Sequence, residues 1–547
     1  MVLQLKFRSR PGVENLILRL TPVLAVGAIW LGSFILSPHC AWAESVEQGR
    51  DYLRQAAHFY KEEEYFKAAR YAFAAVEEDP SLRGDAYAWT TLGLMHAGLP
   101  NLASYFFIRT LQLGNHSAIR SVLTQTEDLV SVVGADLLRK YLVRHTAYAD
   151  YDEANRSAYL YALGKDTLLA GDSAKAIEYL RNIHSSSPLW PFALQLRASA
   201  HAILGQNFDA IRDFRGCVAD SSEILGRHNR HFLHIENAKR EADDLKARCI
   251  AGEARTLYQM EKFEEADRVY DRISKASFVW PDILFEQAWN SFGRGEYNRS
   301  LGRLVSYKSP ALDFVFNTEI EVLRAQSFLA LCLYSDADQV LKEFDKKYTG
   351  LGEEVKDFVE RHSDNLPEFY HQGKKALKSS LYGANAFGHV MNRFVRSAYF
   401  QSLVFNENQI KNEHKKVWHL DRSQKGVSHQ LGRGFPGFLD EILHWRGRTI
   451  QLLGGAFVKN SLMDYHAAMI EDYEKMSFIR LEMLKDAKDK LMGLKSSEDG
   501  QSGSASRARG QLEPARRDDQ YRWSFNGEFW FDELGDYVFG LESACRG

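Results

Sequence analysis

The densest set of metal-capable side chains in the 547-residue sequence is Arg227-His228-Asn229-Arg230-His231-Phe232-Leu233-His234, with Glu236 two residues on. Histidines three residues apart on a helix share a face and chelate a borderline cation such as zinc. His234 has turned away from that face, however, and Arg227 and Arg230 repel a cation. A solvated surface helix is therefore the expected reading. Glu62-Glu63-Glu64 and Glu77-Glu78-Asp79 fall at a turn and a helix end, where solvated charge accounts for them better than paired acid–base carboxylates. His371, His389 and His414 are scattered without recognisable geometry. No GxSxG, HExxH or GxxxxGK[ST] occurs, nor a CxxC, and no GxGxxG is expected to open a helix. These residues predict no enzyme. No catalytic, cofactor-binding or metal-ligating set is expected, and no cofactor; a minor alternative keeps an unrecognised enzyme in residues 351–495.

The elements that would position any site come next. Hydrophobic residues make up 45% of the chain, enough for a large core, and 12 prolines with 26% charged residues fit a globular protein. Nothing in a formal charge of −3 calls for nucleic acid, which demands a basic face. Lys6, Arg8, Arg10 and Arg19 flank an apolar run from Leu20 to Leu36, and Ala41-Trp42-Ala43 precedes Glu44. These are the parts of a secretory signal, so residues 1–43 are expected to be removed. Cleavage would take away four basic residues and one acidic one, moving the charge from −3 to −6. A retained membrane anchor is the competing reading, and Pro38 within the recognition box argues against lipid on Cys40. Four cysteines remain in the exported chain: Cys217, Cys249, Cys332 and Cys545. Two small core thiols are preferred over a bridge for Cys217 and Cys249.

Internal repetition is clear. Between Ser157 and Pro188, Leu163-Gly164, Gly171, Ala176, Leu180 and Pro188 stand at positions 7, 8, 15, 20, 24 and 32 of a 34-residue unit. This resembles the tetratricopeptide repeat, in which small residues at 8 and 20 let two helices cross and proline at 32 ends the second. Register-compatible copies include Ala56, Phe59, Tyr65, Ala68, Ala75 and Pro80, then Trp89, Leu92 and Gly93. Further copies centre on Ala198 and Ala210, Ala254 and Ala266, Ala288 and Leu304, and Ala325 and Ala337. Ser187-Pro188-Leu189-Trp190-Pro191 recurs as Ser277-Phe278-Val279-Trp280-Pro281, each Trp-Pro pair opening a helix. Residues 115–154 read as two helices of a degenerate repeat, and residues 221–245 as a polar insert leading into a lengthened helix.

The resemblance implies an all-α fold: a right-handed tetratricopeptide solenoid over residues 44–350, then a helical region over 351–495. In that region two helices are expected over 355–378 and 386–415. A turn at Gly432–Gly437 precedes one long amphipathic helix over 438–494 that Gly454-Gly455 could kink. A Ser/Gly/Arg-rich linker occupies 496–517, and residues 518–547 carry a dense aromatic tail with Trp523, Phe525, Phe529, Trp530, Phe531 and Tyr537. So many aromatics should not stay in water, so the tail is expected to dock. It would either cap an exposed apolar end or partly occupy a partner surface. The tail and the stretch from Trp280 to Tyr297 are similar to exported tetratricopeptide proteins of deltaproteobacteria, some of which carry gliding-motility names.

In the family resembled, positions 2, 5, 9 and 12 of the first helix of each repeat point into the concave groove. Here these include Tyr161, Lys165, Gln195, Ser199, Arg255, Asp282, Trp289 and Gln326. Such a mixed polar set suits an extended peptide. The resemblance implies a non-catalytic scaffold, exported to the periplasm or outer membrane, that binds protein or peptide partners of the cell envelope. An outer-membrane or cell-wall assembly factor is the alternative. Nucleic acid is not an expected partner, and membrane contact is expected only through an uncleaved signal segment.

Overall fold

The computed structural model describes residues 38–113, 115–222, 235–312, 314–379, 385–424, 431–496 and 527–545. The expected signal segment through Leu36, the linker over 497–517, His228, His231 and His234, and Trp523 and Phe525 lie outside them. Among the described residues the fold is helical, with 21 α-helices and no strand. No helix there is long and apolar enough to cross a membrane.

The helices run α1 (Pro38–Lys61), α2 (Tyr65–Glu78), α3 (Arg83–His96), α4 (Pro100–Leu113), α5 (His116–Leu123), α6 (Thr126–Val133) and α7 (Ala135–His145). They continue as α8 (Glu153–Leu169), α9 (Ser173–Arg181), α10 (Trp190–Ile203), α11 (Asn207–Asp220), α12 (Ile235–Gln259) and α13 (Phe263–Tyr270). Next come α14 (Trp280–Gly293), α15 (Tyr297–Val305), α16 (Glu319–Ala330), α17 (Tyr334–Arg361) and α18 (Leu366–Lys378). The last are α19 (Ala386–Val395), α20 (Ala398–Ser423) and α21 (Phe435–Ser496). They form two compact units: Met1–Cys249 with Phe405–Ile450, and Ile250–Val404 with Gln451–Gly547.

Successive helix pairs share one local chemistry. Between α8 and α9, Gly171 takes φ +92°, and the Asp172 carboxylate accepts from the Lys175 amide at 3.0 Å to cap α9. Ala176 is fully buried, and a methyl group on Gly164 would strike the Leu180 side chain, so only small residues let the two helices close. Gly98, Gly205 and Gly295 make comparable left-handed turns. Glu63, Glu261 and Cys332 adopt the same backbone region without glycine's freedom, at a cost of about 1 kcal/mol or more each. Helices α10 and α14 start on the two Trp-Pro pairs.

Several local expectations are corrected. Residues 115–154 hold three helices, not two, because Gly134 at φ +90° breaks the segment between α6 and α7. The second helix of the last repeat runs on to Arg361 as a 28-residue helix, and the stretch beyond it divides into α18, α19 and α20. Cys217 and Cys249 are bridged, with Cα atoms 6.2 Å apart, among Leu194, Ala198, Ala210, Phe214 and Leu245. Core packing and bridging are not exclusive here: the thiols fill the core and also bond. A second disulfide, Cys332–Cys545, spans 213 residues.

Gly432-Arg433-Gly434-Phe435-Pro436-Gly437 has GxGxxG spacing and does open a helix, α21, against expectation. No strand precedes it among the described residues, and Gly434 faces the Glu77 carboxylate, which repels phosphate. The glycines instead bring this turn close to α2, where Phe435 is buried between Phe66 and Phe73.

Residues 405–450 close the first unit through polar contacts. The Glu413 carboxylate of α20 accepts from the amides of Asn101 and Leu102 at 2.8 and 3.1 Å, capping the N-terminus of α4 from another helix. Asn101 Nδ2 donates to it as well, at 2.8 Å. Burial pushes this carboxyl up to about 7, against the pull of those donors and of Arg446. Arg70, 1% exposed, pairs with Asp421. In the second unit α21 passes α18 closely: added methyl groups at Gly454 and Gly455 would overlap the Tyr370 ring and the Leu366 carbonyl. The glycine pair thus serves close helix approach within one continuous helix.

Candidate partner-binding site

The groove positions expected from the repeats behave differently in the two units. In the first, Tyr161 is buried, and Lys165 pairs with Asp136 of α7 at 2.9 Å, while Arg139 of α7 pairs with Asp166. Helix α7 thus occupies the ground in front of α8. Gln195 and Ser199 are half-buried on α10, and the Ser199 hydroxyl donates to the Gln195 carbonyl at 2.9 Å.

In the second unit the expected groove positions carry a charged cluster. The Arg255 guanidinium makes a two-pronged contact with the Glu286 carboxylate, at 2.9 and 2.6 Å, and the Tyr270 hydroxyl donates to the same carboxylate at 2.9 Å. Asp282, one turn before Glu286 on α14, is solvent-accessible, yet desolvation by the surrounding walls raises its carboxyl above the ordinary range. Glu286 adds to that rise, while Arg393 and Arg255 oppose it. Desolvation also works against the Arg255 charge, but Glu286 outweighs it and holds the guanidinium in its charged form.

Glu319 and Lys475 extend the same charged surface. Burial raises the Glu319 carboxyl, and Lys475, 3.8 Å away, opposes the rise. Lys475 is held by Asp472 at 2.9 Å, and Asp472 accepts in turn from the Thr318 hydroxyl at 2.6 Å. Arg393 is anchored by donating to the Phe316 carbonyl at 2.7 Å. Tyr307, whose hydroxyl donates to the Pro281 carbonyl, is pushed well above its usual range, first by burial and then by Asp282. Sequence reasoning found Arg255 and Asp282 but missed Arg393 and Lys475, which come from helices beyond the repeats. Trp289 is packed against the Ala288, Leu304, Ile320 and Leu323 cluster, so it serves as a wall, and Gln326 is half-buried on α16.

The tail lies on this unit as well. Gly535 donates to the Ser306 hydroxyl at 2.9 Å, Phe539 to the Asn298 carbonyl at 3.0 Å and Ala544 to the Leu331 carbonyl at 2.9 Å. The Asn298 side chain holds Leu541 from both sides, donating to its carbonyl at 2.9 Å and accepting from its amide at 3.0 Å. A methyl group at Gly302 would overlap the Tyr537 carbonyl, so that glycine admits the tail backbone. Leu534 is the buried anchor at 1% exposure. Trp530 and Phe531 stay about 60% exposed, and Phe529 packs on Tyr537 within the tail. Gly535 abuts Leu284 and Trp280. At about 100° per helical residue, Trp280 and Leu284 stand roughly 200° around α14 from Asp282 and Glu286. The described tail and the charged cluster therefore use opposite faces of one helix.

Comparison with protein-family models and with curated proteins gives no match.

Proposed function

We propose that the protein is an exported, non-catalytic scaffold of tetratricopeptide type whose second unit binds an extended protein segment at its charged cluster. The observation that carries this reading is the cluster of accessible charged groups at the expected groove positions, with Arg255 held two-pronged by Glu286 and Asp282 one turn away. Ionic and hydroxyl groups held in place by one another are pre-oriented to meet peptide amides and side-chain charges. Serial helix pairs with small crossing residues support the repeat assignment. Two disulfides support an oxidising, exported setting. The tail, on the far face of α14, acts as a cover for the outer helices and leaves the charged cluster open.

The test is affinity capture from envelope extract of the source organism with the wild-type chain, with an Asp282→Arg/Arg393→Glu variant, and with a surface control at Lys342. A protein retained by wild type and control, and lost from the cluster variant, supports the reading. Identical capture by all three, or none by any, sinks it.

A further inference from the structure

We propose that His414, Asp440 and His444 form a binding site for a divalent transition-metal ion, with zinc the ion that best suits their donors. His414 comes from α20. Asp440 and His444 stand four residues apart on α21 and so share a face. Asp440 sits between the two rings: one carboxylate oxygen lies against Nε2 of His414, and the other is 3.2 Å from Nδ1 of His444. The rings are edge-on to one another, centroids 5.6 Å apart. One ligand atom from each residue lies within 4.8 Å of the others.

These spacings are close to those a metal imposes. Nitrogen and oxygen ligands at ~2.0–2.1 Å from tetrahedral zinc stand ~3.3 Å apart. The widest gap is within reach of side-chain rotation alone, because the three side chains are 42–71% exposed and free to adjust. Two imidazoles and one carboxylate are a borderline donor set that favours zinc over calcium or magnesium, which take oxygen ligands. Nδ1 of His444 also lies 2.9 Å from the Asp440 main-chain carbonyl, a hydrogen bond it would give up on taking the metal, because one ring nitrogen cannot donate and ligate at once. Three protein ligands leave a fourth position open to water or to a side chain of another molecule.

The test uses the full chain, stripped of metal with chelator and titrated with zinc chloride by calorimetry and with cobalt(II) by visible absorption. The expected result is one strong equivalent and cobalt d–d bands, with affinity at least ten-fold weaker in His414→Ala and in His444→Ala. A His231→Ala/His234→Ala control keeps the equivalent, which separates this site from the other histidine-rich segment. Because the ligands are exposed, the variants retain the fold, as circular dichroism will verify. A zinc-dependent rise in wild-type melting temperature that His444→Ala loses is the second readout. An unchanged isotherm in the folded His414→Ala/His444→Ala double variant overturns the proposal, as does a wild-type chain that binds no zinc; either outcome would leave Asp440 as a hydrogen-bond acceptor between two imidazoles.

Discussion

Replacing Asn298 by alanine should loosen the tail without unfolding the unit beneath it. The side chain makes two hydrogen bonds to Leu541, at 2.9 and 3.0 Å, while its main-chain carbonyl, which receives the Phe539 amide, survives the substitution. Two net hydrogen bonds at about 0.5–1.5 kcal/mol each are worth about 1–3 kcal/mol. At 1.4 kcal/mol per factor of ten, tail opening should rise by roughly 5–150-fold. Amide hydrogen exchange with peptide-level mass spectrometry reads this directly: the Leu541 and Phe539 amides should exchange faster by that factor. Amides of α14 should hold. The Ala544 amide should change less, because Cys545 remains bonded to Cys332 beside its acceptor Leu331. In a Cys545→Ser background the acceleration should spread to Ala544. Unchanged exchange at Leu541 would refute the clamp, and equal acceleration through α14 would show that the tail is inseparable from the unit's core.

Ala176→Trp or Ala210→Trp should destabilise the first unit by about 1–3 kcal/mol or more, since both sites are fully buried at helix crossings; unmoved thermal melts would contradict the packing. Cys217→Ser/Cys249→Ser should cost about 3–4 kcal/mol for a 32-residue separation, read as a urea midpoint below that of the oxidised wild type. Glu413→Ala should cost about 3 kcal/mol or more, because two amides of α4 lose their acceptor and Arg446 is left buried beside no carboxylate. Burial lifts Glu413 from its ordinary 4.5 to about 7, so the folded chain keeps a proton that the unfolded chain has shed. This group's stabilisation is full below about 4.5 and is lost as pH rises through about 7. Urea midpoints across that window should show the decline in wild type and lack it in Glu413→Leu.

What was legible in the sequence was what repeats locally. Gly164, Gly171, Ala176 and Leu180 recur at helical spacing, and the structure places them at a crossing, a left-handed turn and a core. The long helix was readable from its apolar period alone, to within three residues at each end. Contacts between distant residues were not readable. Glu413 caps a helix 312 residues earlier in the chain, and nothing around Glu413 marks it as a cap. His414 lies beside Asp440 only because α20 and α21 pack together; an Asp and a His four apart are too common on helices to signal a metal. Cys332 illustrates the same limit. Its partner, Cys545, lies 213 residues away, and nothing around either residue in the sequence marks the pair.

The tail shows how composition and geometry part ways. Its aromatic density argued for docking by rings, yet Trp530 and Phe531 remain exposed and the burial falls to Leu534. The attachment comes instead from main-chain hydrogen bonds, from the room left by Gly302, and from Cys545. Backbone attachment of this kind depends on a matching edge, which Asn298 in the first turn of α15 and Ser306 and Leu331 just past the ends of α15 and α16 supply. Asn298 lies on a second helix, Ser306 in the turn after it and Leu331 in the turn after a first helix, whereas Arg255, Asp282 and Glu286 lie on first helices. The two sets therefore fall on different faces of α14 and its neighbours, and a chain can cover one face of a helix pair without closing the other.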